Sequence, residues 1–280
     1  MANRTMRDPR RVVRCAAAES IGAALLLGML VTGCAATRAA TSRLAPARLP
    51  TASELDAALS DRRTAVQSLR ALAHLRYRDA DESGSSREAL IVARPDRVRV
   101  EVLSVLGSVF VLTADNGAMT AYARQDDTVY RGKASLENLA RYARLWVPVT
   151  DLVDIVLGTP PPRPAQQERV TFDADANAVR LWRALDDGVQ VVWFTDAALP
   201  VAAEERASSG DATWRATFDA YEEHAGVPVA TRIALELPGA ARRLEITLDD
   251  VDVNPSLDHS VFAFQTPPGS KVVNLDRVAD

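Results

Sequence analysis

From residue 71 onward, apolar and polar side chains alternate with period two, and a few polar clusters interrupt the alternation. Ala73, Leu75 and Tyr77 alternate with polar neighbours, DADESGSS turns the chain, and residues 87–93 make a second strand. After Arg94-Pro95-Asp96, Val98, Val100 and Val102 alternate with Arg97, Arg99 and Glu101, the pattern of a strand with one buried face. Residues 109–113 and 118–124 flank Asp115-Asn116-Gly117, residue types that supply the positive φ of a tight hairpin. The same pattern returns at 169–173, 178–184, 189–195, 200–207 and 212–221, and in the series Ile233/Leu235/Leu237 and Leu244/Ile246/Leu248. That makes about eleven or twelve strands.

Helical spacing interrupts this pattern in a few places. Thr51-x-x-Glu54 fits a capping box, and Leu55, Leu59, Val66 and Leu69 follow as one apolar stripe. Ser135 can cap a short helix through Arg144. Thr150 can cap another, DLVDIVLG, that ends at Gly158 ahead of a proline run. Connections this short favour antiparallel pairing, and no strand–helix alternation calls for a parallel sheet. The expected fold is mainly β with a few helices (α+β): one large, strongly curved sheet or half-barrel of about eleven strands, with the helices packed on it.

The first 33 residues read differently. Arg4, Arg7, Arg10, Arg11 and Arg14 precede an apolar run, Ile21 to Val31. Eleven helical residues span about 16 Å, roughly half a bilayer core, which is the size of a signal-peptide apolar region and too short for a transmembrane helix. Val31-Thr32-Gly33-Cys34 follows directly and resembles a lipobox, where cleavage leaves Cys34 to be lipidated. Residues 1–33 are thus read as a lipoprotein signal peptide, 34–52 as the lipidated Cys34 with a flexible Ala/Thr/Ser/Pro tether, and 53–280 as the folded domain. Ala35, where the enterobacterial sorting rule would place Asp for inner-membrane retention, points to the outer membrane. The expected location is the periplasmic face of that membrane, lipid-anchored.

Composition narrows the chemistry. Apolar residues are 48% and charged residues 25%, ordinary for a folded soluble domain. The net charge is -4; removing residues 1–33 takes five arginines and two acids with it and leaves -7, with no basic face to suggest nucleic acid. Of two cysteines one leaves with the signal peptide and the other is the anchor, so no disulfide or thiol chemistry remains. His74, His224 and His259 are far apart and have no metal-spaced partners. Asp250-x-Asp252-x-Asn254 begins like a calcium loop but continues with Pro255 and Val261 at the positions of the required glycine and bidentate acid. No P-loop, dinucleotide fingerprint, nucleophile elbow or zinc helix occurs, so neither an enzyme nor a cofactor or metal site is expected.

What remains is the apolar face of the sheet, which with a few sealing helices can enclose a greasy cavity. Val100, Val102, Phe110, Trp146, Leu152, Trp182, Trp193, Trp214 and Phe218 are the candidates to line it. The alternative for each is a place in an ordinary packed core.

Residues 97–113 (RVRVEVLSVLGSVFVLT), Tyr130-Arg131-Gly132, Val147-Pro148-Val149 with Ile155-Val156-Leu157-Gly158, and the closing Phe262-Ala263-Phe264…Pro267-Pro268-Gly269 together resemble the LolA/LolB lipoprotein-localisation family. The lipobox places the resemblance on the LolB side. It covers most of residues 53–275 and implies an unclosed antiparallel barrel with a helical lid over an apolar cavity. The implied function is to bind or receive acylated lipoproteins or other hydrophobic ligands, with the membrane and a periplasmic LolA-like carrier as partners and acyl-chain exchange as the mechanism. The family's membrane-delivery loop has a candidate in Leu103-Ser104-Val105-Leu106, which can equally continue a strand. A second reading keeps the fold but makes the lipoprotein a docking scaffold for outer-membrane assembly, with a dry, packed interior.

Overall fold

The computed structural model describes residues 48–105 and 107–277. The expected signal peptide, Cys34 and most of the expected tether lie outside the described residues, as do Leu106 and residues 278–280.

The capping box forms as the sequence predicts. Thr51 caps α1 (Ala52–Ala65), its hydroxyl accepting from the Glu54 N–H while the Glu54 carboxylate accepts from the Thr51 N–H. The helix is shorter than its apolar stripe. Val66 is the extended C-cap and Leu69 already belongs to the first strand, both fully buried. A remote side chain makes this break. Asn254 Oδ1 accepts from the N–H groups of Gln67 and Ser68, and its Nδ2 donates to the Ala65 carbonyl. It thereby supplies the hydrogen bonds that the helix end leaves open.

The strands before the next helix are β1 (Ser68–Arg78), β2 (Ser83–Ala93), β3 (Arg97–Ser104), β4 (Gly107–Asp115), β5 (Ala118–Ala123) and β6 (Thr128–Lys133). Two helices follow, α2 (Leu136–Ala143) and α3 (Val149–Val156). Then come β7 (Gln167–Asp173), β8 (Ala178–Ala184), β9 (Gly188–Phe194), β10 (Pro200–Ala207), β11 (Ala212–His224), β12 (Val227–Leu237), β13 (Arg242–Val253) and β14 (Lys271–Asn274). All fourteen join one sheet, in the order β14-β6-β5-β4-β3-β2-β1-β13-β12-β11-β10-β9-β8-β7. Neighbours run antiparallel except at one edge, where β14 lies parallel to β6. The end strands β14 and β7 are not paired with each other, so the sheet is open, consistent with a curved half-barrel.

The strand count corrects the expected eleven or twelve. The two additions are β6 and β14, and both are weak as sequence patterns. β6 contains Gly132, ordinarily unfavourable inside a strand. Here a Cβ would meet the Leu275 Cβ at 2.7 Å and Asp276 Oδ1 at 2.9 Å, so the residue is glycine because the turn at 275–277 presses onto the strand. β14 has four residues and depends on that same neighbour. The start of α3 also differs from expectation: Pro148, not Thr150, is the N-cap, and its carbonyl accepts from the Leu152 N–H. The α2 cap is as expected, with Ser135 Oγ accepting from Asn138 N and Arg144 closing the helix in the left-handed conformation.

α3 is buried nearly all round, including two acids. Asp154 pairs with Arg63 and Arg94, and Asp151 pairs with Arg163, which also binds Glu205. Charged residues fully out of water need such partners. These pairs fix α3 to α1, to the β2–β3 turn and to the segment before β7. Among the described residues no helix is long and apolar enough to cross a membrane.

Candidate functional site

One cavity, of about 420 Å³, lies between the sheet and the α2–α3 segment. Strand alternation builds its walls. Ala73, Leu75 and Tyr77 of β1 point into it, as do Leu90 and Val92 of β2, Val98, Val100 and Val102 of β3, Phe110 and Leu112 of β4, and Leu244 and Ile246 of β13. Cross-strand register stacks these side chains in rows: Leu90 sits opposite Val100, which sits opposite Leu112, and Leu75 sits opposite Ile246. Tyr142, Leu145, Leu152 and Val156 cover the space from the helical side.

A ring of charge marks one end. Arg144, just after α2, donates to Asp79 and Glu82 in the β1–β2 connection, and Arg242 donates to Asp79 Oδ2 at 3.1 Å. The Arg242 guanidinium lies over the Tyr77 ring, 5.2 Å from its centre. The backbone N–H of Glu82 is the main cause that holds the Asp79 carboxyl below the ordinary aspartate range. The N–H of Asp81 and the guanidinium groups of Arg242 and Arg144 add to it, against partial desolvation. These contacts tie the helical cover to the rim of the sheet.

Inside, one charged side chain departs from the apolar lining. Glu88 on β2 is only 8% exposed. The Ser86 hydroxyl donates to its Oε1 at 2.9 Å. Burial pushes the Glu88 carboxyl up from its ordinary value, with the Ser86 bond opposing the shift.

Beyond the same end, the β3–β4 hairpin projects. Leu103 and Val109 are more than one-third exposed, and Val105 at the turn is fully exposed. An apolar side chain wholly in water at a hairpin tip contributes nothing to the core.

Val100, Val102, Phe110 and Leu152 come together on the cavity wall. The remaining candidates lie elsewhere. Trp146 is in the α2–α3 connection and 44% exposed. Trp214 and Phe218 are buried in the packed core. Trp182 is half-buried on β8, with the Arg169 guanidinium over its ring, and Trp193 on β9 donates to Asp173 Oδ2 at 2.9 Å. Tyr77, Leu90, Tyr142, Leu145 and Ile246, and the charged Glu88, Arg144 and Arg242, also line the cavity, and no local motif singles them out. Alternation places the strand members of this group on the right face, but only the β1–β13 pairing decides which strands share it. Among the described residues no three His, Cys, Asp or Glu side chains gather as a metal site.

The family model for the outer membrane lipoprotein LolB matches residues 69–250, which span the cavity strands and both covering helices. Three solved structures share the fold. A putative outer membrane lipoprotein-sorting protein domain from Vibrio parahaemolyticus is 15% identical, with a TM-score of 0.51 over 75% of this chain and 94% of that one. A LolA superfamily protein from Nitrosomonas europaea is 12% identical, with a TM-score of 0.50 over 77% and 99%. A DUF1329 family protein from Desulfovibrio piger is 13% identical, with a TM-score of 0.52 over 75% and 95%. No curated protein matches the chain.

Proposed function

We propose, from the premise that this chain belongs to the LolB family of outer-membrane lipoproteins, that it receives acylated lipoproteins or other hydrophobic ligands in the cavity beneath α2 and α3. In this reading Cys34 carries the lipid anchor, the domain faces the periplasm from the outer membrane, and a LolA-like carrier delivers the cargo. The observation that supports it best is the cavity itself: an apolar space bounded by Val100, Val102, Phe110, Leu152 and their neighbours. The docking-scaffold reading expects close packing at the same place.

The mechanism needs no covalent step and no cofactor. An acyl chain gains about 0.8 kcal/mol for each methylene moved from water into an apolar site. Passing from one such cavity to another costs little, provided the chain never crosses open water. Direction then depends on which cavity is deeper or which exit is open, and the α2–α3 cover is the part placed to change that.

The test is native mass spectrometry of a Cys34→Ala form recovered without detergent. Copurifying acyl ligands are expected. If none is found and no fluorescent acyl probe binds, the cavity reading is wrong.

The exposed hairpin is assigned the contact with the membrane. Val105→Asp should slow transfer of a fluorescent acyl ligand to phospholipid vesicles by about tenfold, the effect of one valine that no longer leaves water. Affinity for the ligand should stay the same. An unchanged transfer rate removes the hairpin from the delivery step.

A further inference from the structure

We propose that Glu88 sets the class of ligand this cavity accepts: acyl chains whose polar end is an uncharged hydrogen-bond donor, an amide or a hydroxyl-bearing ester, are taken, and free fatty acid anions are turned away. The inference rests on the reading of the cavity as a ligand site and adds the discriminating residue.

Register places Glu88 on the apolar face between Ala73 of β1 and Val102 of β3, with Leu90 next along its own strand. Burying a carboxyl group among such neighbours is costly, and proteins usually offset the cost with a cation. Here, among the described residues, Glu88 makes no ion pair, and Ser86 is its one hydrogen-bond partner, at Oε1. The two arginines of the cavity, Arg144 and Arg242, are engaged by Asp79 and Glu82 at the rim. An apolar residue would fill the position as well, so packing gives no reason for the acid. The remaining oxygen, Oε2, can take a hydrogen bond from a molecule in the cavity.

The chemistry of that oxygen discriminates between ligands. An amide N–H or an alcohol O–H donates to the ionised carboxylate. A free fatty acid at neutral or alkaline pH arrives as a second carboxylate, and two carboxylates in one desolvated site cannot both stay ionised. With Glu88 ionised, the acid therefore enters only by taking up one proton, which the amide and the ester do not need.

The experiment uses the full chain held in CHAPS, a steroid detergent without acyl chains, and displacement of the apolar dye N-phenyl-1-naphthylamine at pH 8. Oleamide and monooleoylglycerol should displace the dye from the wild type at concentrations about tenfold or more below that of oleate, the scale of one hydrogen bond to a charged group. Glu88→Gln keeps the shape and the Ser86 bond but removes the charge, and should bring the three ligands within about twofold of one another. Glu88→Leu should do the same, and serves if Glu88→Gln does not fold. Equal displacement by all three ligands in the wild type overturns the inference and leaves the cavity reading intact. A preference that persists in both variants overturns it as well. If neither dye nor ligand binds the wild type, both readings fall together.

Discussion

Asp154→Ala should lower the unfolding free energy of the domain by about 3–5 kcal/mol, the cost of leaving a buried ion pair without one partner. Asp154 sits on α3 and is itself buried. Around it stand the guanidinium groups of Arg94 and Arg63. Arg94 is further held by the Val66 carbonyl at 3.1 Å and the Thr159 hydroxyl at 2.8 Å. Arg62 lies nearby and donates to the Gly158 and Pro228 carbonyls. Burial first, then repulsion from Arg63 and Arg62, push Arg94 down to about 9. Asp154 is the counter-charge that makes this crowding tolerable. A control separates burial from charge as such. Asp252 pairs with Arg70 in the open, both about half exposed, and Asp252→Ala should cost no more than about 1 kcal/mol. Urea unfolding monitored by tryptophan fluorescence measures both. A loss below about 1 kcal/mol for Asp154→Ala would mean that α3 is held by its apolar contacts alone. Because α3 also carries Leu152 and Val156 of the cavity wall, the variant should weaken acyl-probe binding even where it remains folded.

The second large effect distinguishes the packed core from the cavity. Phe218→Ala should destabilise the domain by about 3–5 kcal/mol, the usual range for a buried phenylalanine. Phe218 is 1% exposed and packed within the core rather than on the cavity wall. Probe affinity in the folded variant should therefore stay within about twofold of the wild type. Phe110→Ala should behave in the opposite way. Phe110 is only part-buried and faces the cavity, so its loss should weaken the probe with a smaller change in stability. Parallel losses of stability and affinity in both variants would show that no separate ligand space exists.

The contrast between these two phenylalanines marks how far the sequence could be read. Period-two runs placed twelve of the strands to within a few residues, because a one-sided strand has to alternate. Thr51 and Ser135 announced their helices because a cap is a local hydrogen bond. β6 and β14 were silent, since one contains a glycine required by a remote turn and the other is a four-residue edge. The end of α1 at Ala65 was hidden for a similar reason: Asn254 makes the break from 189 residues away. The site followed the same rule. Val100, Val102, Phe110 and Leu152 are members of segments whose pattern is local. Aromatic size, which favoured Trp182, Trp193, Trp214 and Phe218, measures apolar bulk and says nothing about which side of the molecule the bulk serves. Glu88 was overlooked because an acid in a strand ordinarily belongs to the wet face. Period two puts it on the face of Leu90 and Val92, and the pairing of β2 with β1 and β3 sets Ala73 and Val102 beside it.

The central seam of the sheet bears on how the chain is made. β1 is the first of the described strands in order of synthesis, yet its second neighbour is β13, with Leu69 opposite Val253. Chains emerge from their amino-terminal end, at about 5–20 residues per second. Strands β2 to β5 can find their neighbours as successive hairpins. The outer edge of β1 stays bare until nearly the whole domain has followed, and bare edges are where strands join the wrong chain. This edge is dotted with charge: Arg70, Arg76 and Arg78 alternate with the apolar residues, and only on completion do Arg70 and Arg76 meet Asp252 and Glu245. The same arginines that pair across the finished seam thus keep the unfinished one from sticking to its neighbours.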